Sequence, residues 1–154
     1  MSIAYRIHKE SGFTLVHWDG VVAAADFLAH VQRLSSDADW PPFRRLHISD
    51  LRNTSLDASM DHAALEAAAE IYGRHSDKLA NLKVAVVADE AFWKAVDFER
   101  LISRYGASVT VFNFLDTACK WLGLDADEVG RAVQQLRASR DAGSITEITT
   151  GKTP

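Results

Sequence analysis

The chain has 154 residues, 47% of them hydrophobic and 25% charged, the size and balance of one globular domain. Its 21 acidic and 17 basic residues leave a net charge of −4, which does not attract phosphate backbones and sets nucleic acid aside as a partner. Cys119 is the single cysteine, so no internal disulfide can form. Residues 1–10 lack the apolar centre of a secretory leader, and no run approaches the ~18 apolar residues of a membrane span. The expectation is a bacterial-type cytoplasmic protein with no integral membrane segment.

Ile3, Tyr5 and Ile7 alternate with Ala4, Arg6 and His8, the period of a strand. Glu10-Ser11-Gly12 is a turn signal and residues 13–18 form a second strand, so the pair makes a hairpin ending at Asp19-Gly20. Ala24, Phe27, Val31 and Leu34 form one apolar stripe, which predicts a helix over 23–34. Pro41 and Pro42 stop any helix, and the flanking Trp40 and Phe43 are expected to pin that loop to the core. Residues 45–51 read as the third strand. Ser59 is the expected N-cap of a helix over 60–74 whose inner side carries Leu65, Ala68 and Tyr72.

Residues 82–88 are apolar except for Lys83, as expected of a strand covered on both faces. Asp89 is the expected cap of a helix reaching Tyr105, with Ala91, Ala95, Phe98 and Ile102 on one side and Gly106 just beyond its end. Residues 108–114 give the fifth strand, and 116–122 a short helix closed by Gly123. Asp125 and Glu128 are spaced as a capping box for a last helix to about 139 that buries Val129, Ala132, Val133 and Leu136. Residues 140–154 lose periodicity and read as a flexible tail. Residues 1–139 therefore form one α/β domain: a mainly parallel five-stranded sheet with an N-terminal hairpin and helices packed on it.

Recognisable chemistry is sparse. No phosphate-binding glycine loop, metal-ligand spacing or nucleophile elbow is present, so no catalytic residue, cofactor or metal is assigned. Cys119 lies in the apolar pattern of its helix and reads as a small buried thiol. His17 and His47 fall on strands that can be neighbours, which makes a pair conceivable. An acid–base pair of Asp50 with Asp19 or His47 is the one enzymatic alternative.

The strand end at Asp50-Leu51-Arg52-Asn53 is the leading candidate, because open α/β sheets place ligands and partners outside strand carboxyl ends. Asp50 and Arg52, two apart on an extended chain, point to one side. They make either an ion pair fixing the strand end or a polar platform, with Arg52 offering bidentate donors to an anion. Asp19 ends the hairpin and Asp89 the fourth strand. Trp93 falls off its helix's apolar stripe and marks a candidate contact patch.

The order of elements resembles the SpoIIAA-like branch of the STAS superfamily, the sulfate transporter and anti-sigma-factor antagonist domains. So do the hairpin end at Trp18-Asp19-Gly20, the strand end at Asp50-Leu51-Arg52, the strand over 84–88, and the closing segment over 111–122 with its Ala118-x-x-Trp121-Leu122 pattern. The resemblance covers about residues 1–124. It implies a non-enzymatic regulatory or protein-interaction module, with a protein partner or self-association as a homodimer. The antagonists of that family are switched by phosphorylation in an Asp-Ser-Ser-Gly motif. Here the region reads Asn53-Thr54-Ser55-Leu56-Asp57-Ala58-Ser59, so the motif is absent and Thr54, Ser55 and Ser59 are the nearest hydroxyls. The alternative function is small-ligand or lipid binding in a pocket at the strand carboxyl ends.

Overall fold

The computed structural model describes residues 2–141 and the backbone of 151–152. The strands are β1 (Ile3–His8), β2 (Phe13–Trp18), β3 (Gly20–Val22), β4 (Leu46–Leu51), β5 (Thr54–Leu56), β6 (Lys83–Ala88), β7 (Ser108–Phe112) and β8 (Gly151–Lys152). The α-helices are α1 (Ala24–Ser36), α2 (His62–Gly73), α3 (Ser76–Leu79), α4 (Phe92–Ile102), α5 (Leu115–Leu122) and α6 (Ala126–Asp141). The main sheet has the order β7-β6-β4-β2-β1, with β8 beside β1. β1 and β2 form the expected antiparallel hairpin, while β2, β4, β6 and β7 are all parallel.

This strand order dictates the layers. A parallel sheet that grows in one direction through right-handed crossovers puts every crossover helix on the same face. One core accordingly joins Ile3, Tyr5, Val16 and Trp18 to the buried sides of α1, α2 and α4. The opposite face would be bare without the C-terminal helices. There Ala4, Phe13, Leu15, Ile48, Ala85 and Val87 pack against Ala118, Cys119 and Leu122 of α5 and Val129, Ala132, Val133 and Leu136 of α6.

Several local expectations are corrected. The chain pairs again after Asp19-Gly20: β3 and β5 form a separate parallel ribbon, Gly20 opposite Thr54 and Val22 opposite Leu56. The helix after Ser59 starts later, at His62, because Asp61 is its cap and accepts from the Ala64 amide at 2.9 Å. Ser59 instead accepts from the Ala24 amide at the start of α1, at 2.9 Å. Asp89 does not cap α4 through its side chain; Ala91 holds that position. Trp40 is buried as expected, but Phe43 is exposed and pins nothing. The predicted tail begins later, since Arg140 and Asp141 continue α6; residues 142–150 and 153–154 lie outside the described residues. No helix among the described residues is long and apolar enough to cross a membrane.

Candidate functional site

β4 is the strand on which the two sides of the molecule divide. Successive side chains of a strand point to opposite faces. Ile48 therefore joins the α5/α6 core, and Asp50 shares its side. His47, Ser49 and Leu51 turn toward α1, α2 and α4.

On the α5/α6 side, Asp50 and Arg52 form the bidentate pair anticipated for this loop. Arg52 donates from Nε to Asp50 Oδ1 and from Nη2 to Oδ2, both at 2.9 Å, and its amide donates to Oδ1 at 3.1 Å. Asp50 is buried and Arg52 half-buried. The hydrogen bonds from Asp50 hold the guanidinium charged and raise its pKa. The donors that would clamp an external anion are thus turned inward, and the arrangement fixes the strand end.

The other predicted residues are distributed around this pair. Asp89 lies close enough to act on the Arg52 charge, while Asp89, Asp19, Asn53 and Trp93 are all exposed. The Asn53 carbonyl accepts from the Gly20 amide at 3.1 Å and so belongs to the β3–β5 ribbon. Thr54 is buried and Ser55 half-buried; among these hydroxyls only Ser59 is exposed. His17 stands opposite Asp50 on β2 and contacts Arg140 of α6, which meets its Nδ1 at 2.9 Å and donates to its carbonyl at 3.0 Å.

His17 and His47 do not pair. Their strands are neighbours, but His17 follows the parity of Leu15 and His47 that of Leu51, so the two rings lie on opposite faces. The same parity separates His47 from Asp50, so that conceived pair does not assemble, while Asp19 and Asp50 both act on the charge of His17. Burial pushes the Cys119 thiol up to about 11, which keeps it protonated and unreactive at neutral pH. Among the described residues no three His, Cys, Asp or Glu side chains gather into a metal-holding group.

The feature that sequence reasoning missed lies on the other side of β4. A cavity of about 90 Å³ opens between the sheet and the helices α1, α2 and α4. Trp18, Phe27, Trp40, Met60, Tyr72 and Phe98 supply much of its apolar wall, and Ala95 and Lys94 face it from α4. Under α4 the sheet is not closed over: Val84, Val86 and Val109 line the space and remain half-exposed. Residues 82–88 were expected to be covered on both faces. The α5/α6 face of β6 meets that expectation through Ala85 and Val87, and the α4 face does not.

No family model, curated protein or solved structure matches the chain. The cavity therefore has to be read from its own chemistry.

Its polar groups are few and ordered. His47 Nδ1 accepts from Trp40 Nε1 at 3.4 Å, which leaves the ring proton on Nε2, 3.1 Å from Ser49 Oγ. His30 is 3% exposed, and its Nδ1 is buried with no hydrogen-bond partner among the described residues. Burial lowers His30 to about 3 and His47 to about 4, so both are neutral near pH 7. An apolar chamber with a few convergent polar groups is the general form of a small-molecule site. The one signal available beforehand was the placement of His47 and Ser49 on alternate positions of a strand otherwise apolar on that side.

Proposed function

We propose that this protein is a non-enzymatic regulatory module that binds a small, largely apolar ligand in the cavity beneath α4. The observation that carries this reading is the cavity itself, floored by the half-buried Val84 and Val86 of β6 and Val109 of the edge strand β7. Packed interiors leave few voids larger than a water molecule, and a half-covered apolar strand forgoes contacts that closure would supply. His30, whose Nδ1 has no hydrogen-bond partner among the described residues, also belongs to the cavity wall. The resemblance of the element order to STAS regulatory domains agrees with a binding rather than a catalytic role.

The test is a thermal-shift and tryptophan-fluorescence titration with benzene and toluene. Trp18 and Trp40 report directly because both line the cavity. Saturable binding that raises Tm in the wild type and disappears in Ala95→Trp, whose ring fills the space, is the expected result. A wild type that binds neither these hydrocarbons nor their amide or carboxylate derivatives sinks the proposal.

A second reading is docking of a protein partner, including a second copy of the chain. It is favoured by the exposed Val21, Trp93 and Phe114. These lie in segments that follow β2, β6 and β7, at the strand carboxyl ends. Light scattering tests the self-association part of it: a dimer lost in Trp93→Ala supports the reading, and a strict monomer at high concentration removes it.

A further inference from the structure

Three lysines among the described residues are half-buried: Lys78, Lys83 and Lys94. Two are engaged. Lys78 donates to the carbonyls of Ser35 and Asp37, at 2.7 and 3.1 Å, and Lys83 donates to the carbonyl of Trp121. Lys94 is the exception. No hydrogen bond or ion pair holds its ammonium among the described residues, and it is the one charged side chain lining the cavity. The Lys94 side chain borders the apolar chamber, and an ammonium with no ion pair among the described residues favours an anion.

The neutral groups carry the same preference. Because His47 Nε2 donates to Ser49 Oγ, the Ser49 hydroxyl proton remains available to an acceptor in the cavity. The lining contains no carboxylate to compete for either donor. A single cation matches a single negative charge, and a doubly charged phosphate would be left half-neutralised in a low-dielectric wall.

We infer that the ligand is a small monocarboxylate, its carboxylate at Lys94 and its apolar body among the aromatic residues of the cavity. This inference rests on the ligand-binding reading above. A chamber of about 90 Å³ with Lys94 in its lining suits a body of about five to eight heavy atoms, one ring or a short branched chain.

Benzoate and its neutral isostere benzamide provide the test, titrated into the full chain and followed by amide shifts of Ala95 and Val86. Benzoate is expected to bind about tenfold more tightly than benzamide, the increment of a charge-assisted contact. Lys94→Gln should bring the two within about twofold of each other, and Lys94→Arg should keep the preference. Equal affinities in the wild type, or a preference that survives in Lys94→Gln, overturns the carboxylate assignment. If benzene binds and benzoate does not, the carboxylate assignment again falls and the apolar-ligand reading stands. If benzene, benzamide and benzoate all fail to bind, both fall.

Discussion

The two faces of the sheet are built to different ends. On the α5/α6 side, Ala4, Phe13, Leu15, Ile48, Ala85 and Val87 are each fully enclosed, and the polar groups at its rim are tied to one another: Asp50 to Arg52, and Arg140 to His17. On the α1/α2/α4 side the sheet valines stay half-exposed, two neutral histidines are buried, and a chamber remains. The crossover helices come with the topology, so their face must close wherever each helix happens to sit. The opposite face is covered by a separate pair of helices that can settle onto the sheet. The closed face is the more completely packed one, and the open face is the one to which we assign ligand binding.

Matched truncations expose this difference most strongly. Val87→Ala on the closed face, where the side chain is fully buried, should cost about 2.5 kcal/mol, the transfer term plus a cavity that its neighbours cannot fill. Val86→Ala on the open face should cost about 1 kcal/mol, because its methyl groups already border empty space. Urea denaturation of both variants measures the gap. Equal losses would show that the open face is as well packed as the closed one, and that the chamber closes in solution.

Much of this division was legible in the sequence, and the reason is specific. Alternation in β1, the continuous apolar run of β6 and the helical stripes of α1 and α6 report burial, and burial decides the layers. The pairing of Asp50 with Arg52 was also legible, because two charges at spacing two on a strand share a side. The β3–β5 ribbon was not: Gly20–Val22 and Thr54–Leu56 are three residues each and show no period. The cavity was not either. Periodicity says that Val84 and Val86 face the helices, and it cannot say how far α4 stands off. The cap of α2 was misread because Ser59 and Asp61 are equally good acceptors, and the choice was made by Ala24, thirty-five residues away.

The rim of the closed face gives the next largest effect. Removing Arg52 leaves the Asp50 carboxylate buried without its counter-charge. The full cost of such a break is about 3–5 kcal/mol, and the half-exposure of Arg52 lets water reach the site, so Arg52→Ala should lose about 2 kcal/mol. Asp50→Asn combined with Arg52→Ala should recover about half of that, since an amide carries no charge to strand. If the double variant is no better than Arg52→Ala, the pair acts through shape alone and the rim is not electrostatically closed.

At neutral pH the histidines make no such difference, and they separate the faces only as the pH falls. His30 on the open face is held down to about 3 by burial, with the nearby His47 and Arg33 adding to it. The unfolded chain takes up its proton near the ordinary value of ~6.5. Below that pH the unfolded state binds a proton that the folded state refuses, so stability falls as pH falls from ~6.5 and is insensitive to this group above it. A fully buried histidine contributes up to about 1.4 kcal/mol per pH unit in this window. His17 on the closed face is also lowered by burial, with Asp50 and Asp19 raising it and Arg140 and Arg137 lowering it, so its shift is a balance of opposed neighbours. His30→Leu should therefore flatten the loss of stability between about pH 6 and pH 4.5 more than His17→Leu does. Denaturation midpoints across that range decide it. An unchanged slope in His30→Leu would mean that His30 is hydrated through the open face and can take up a proton while the fold is intact.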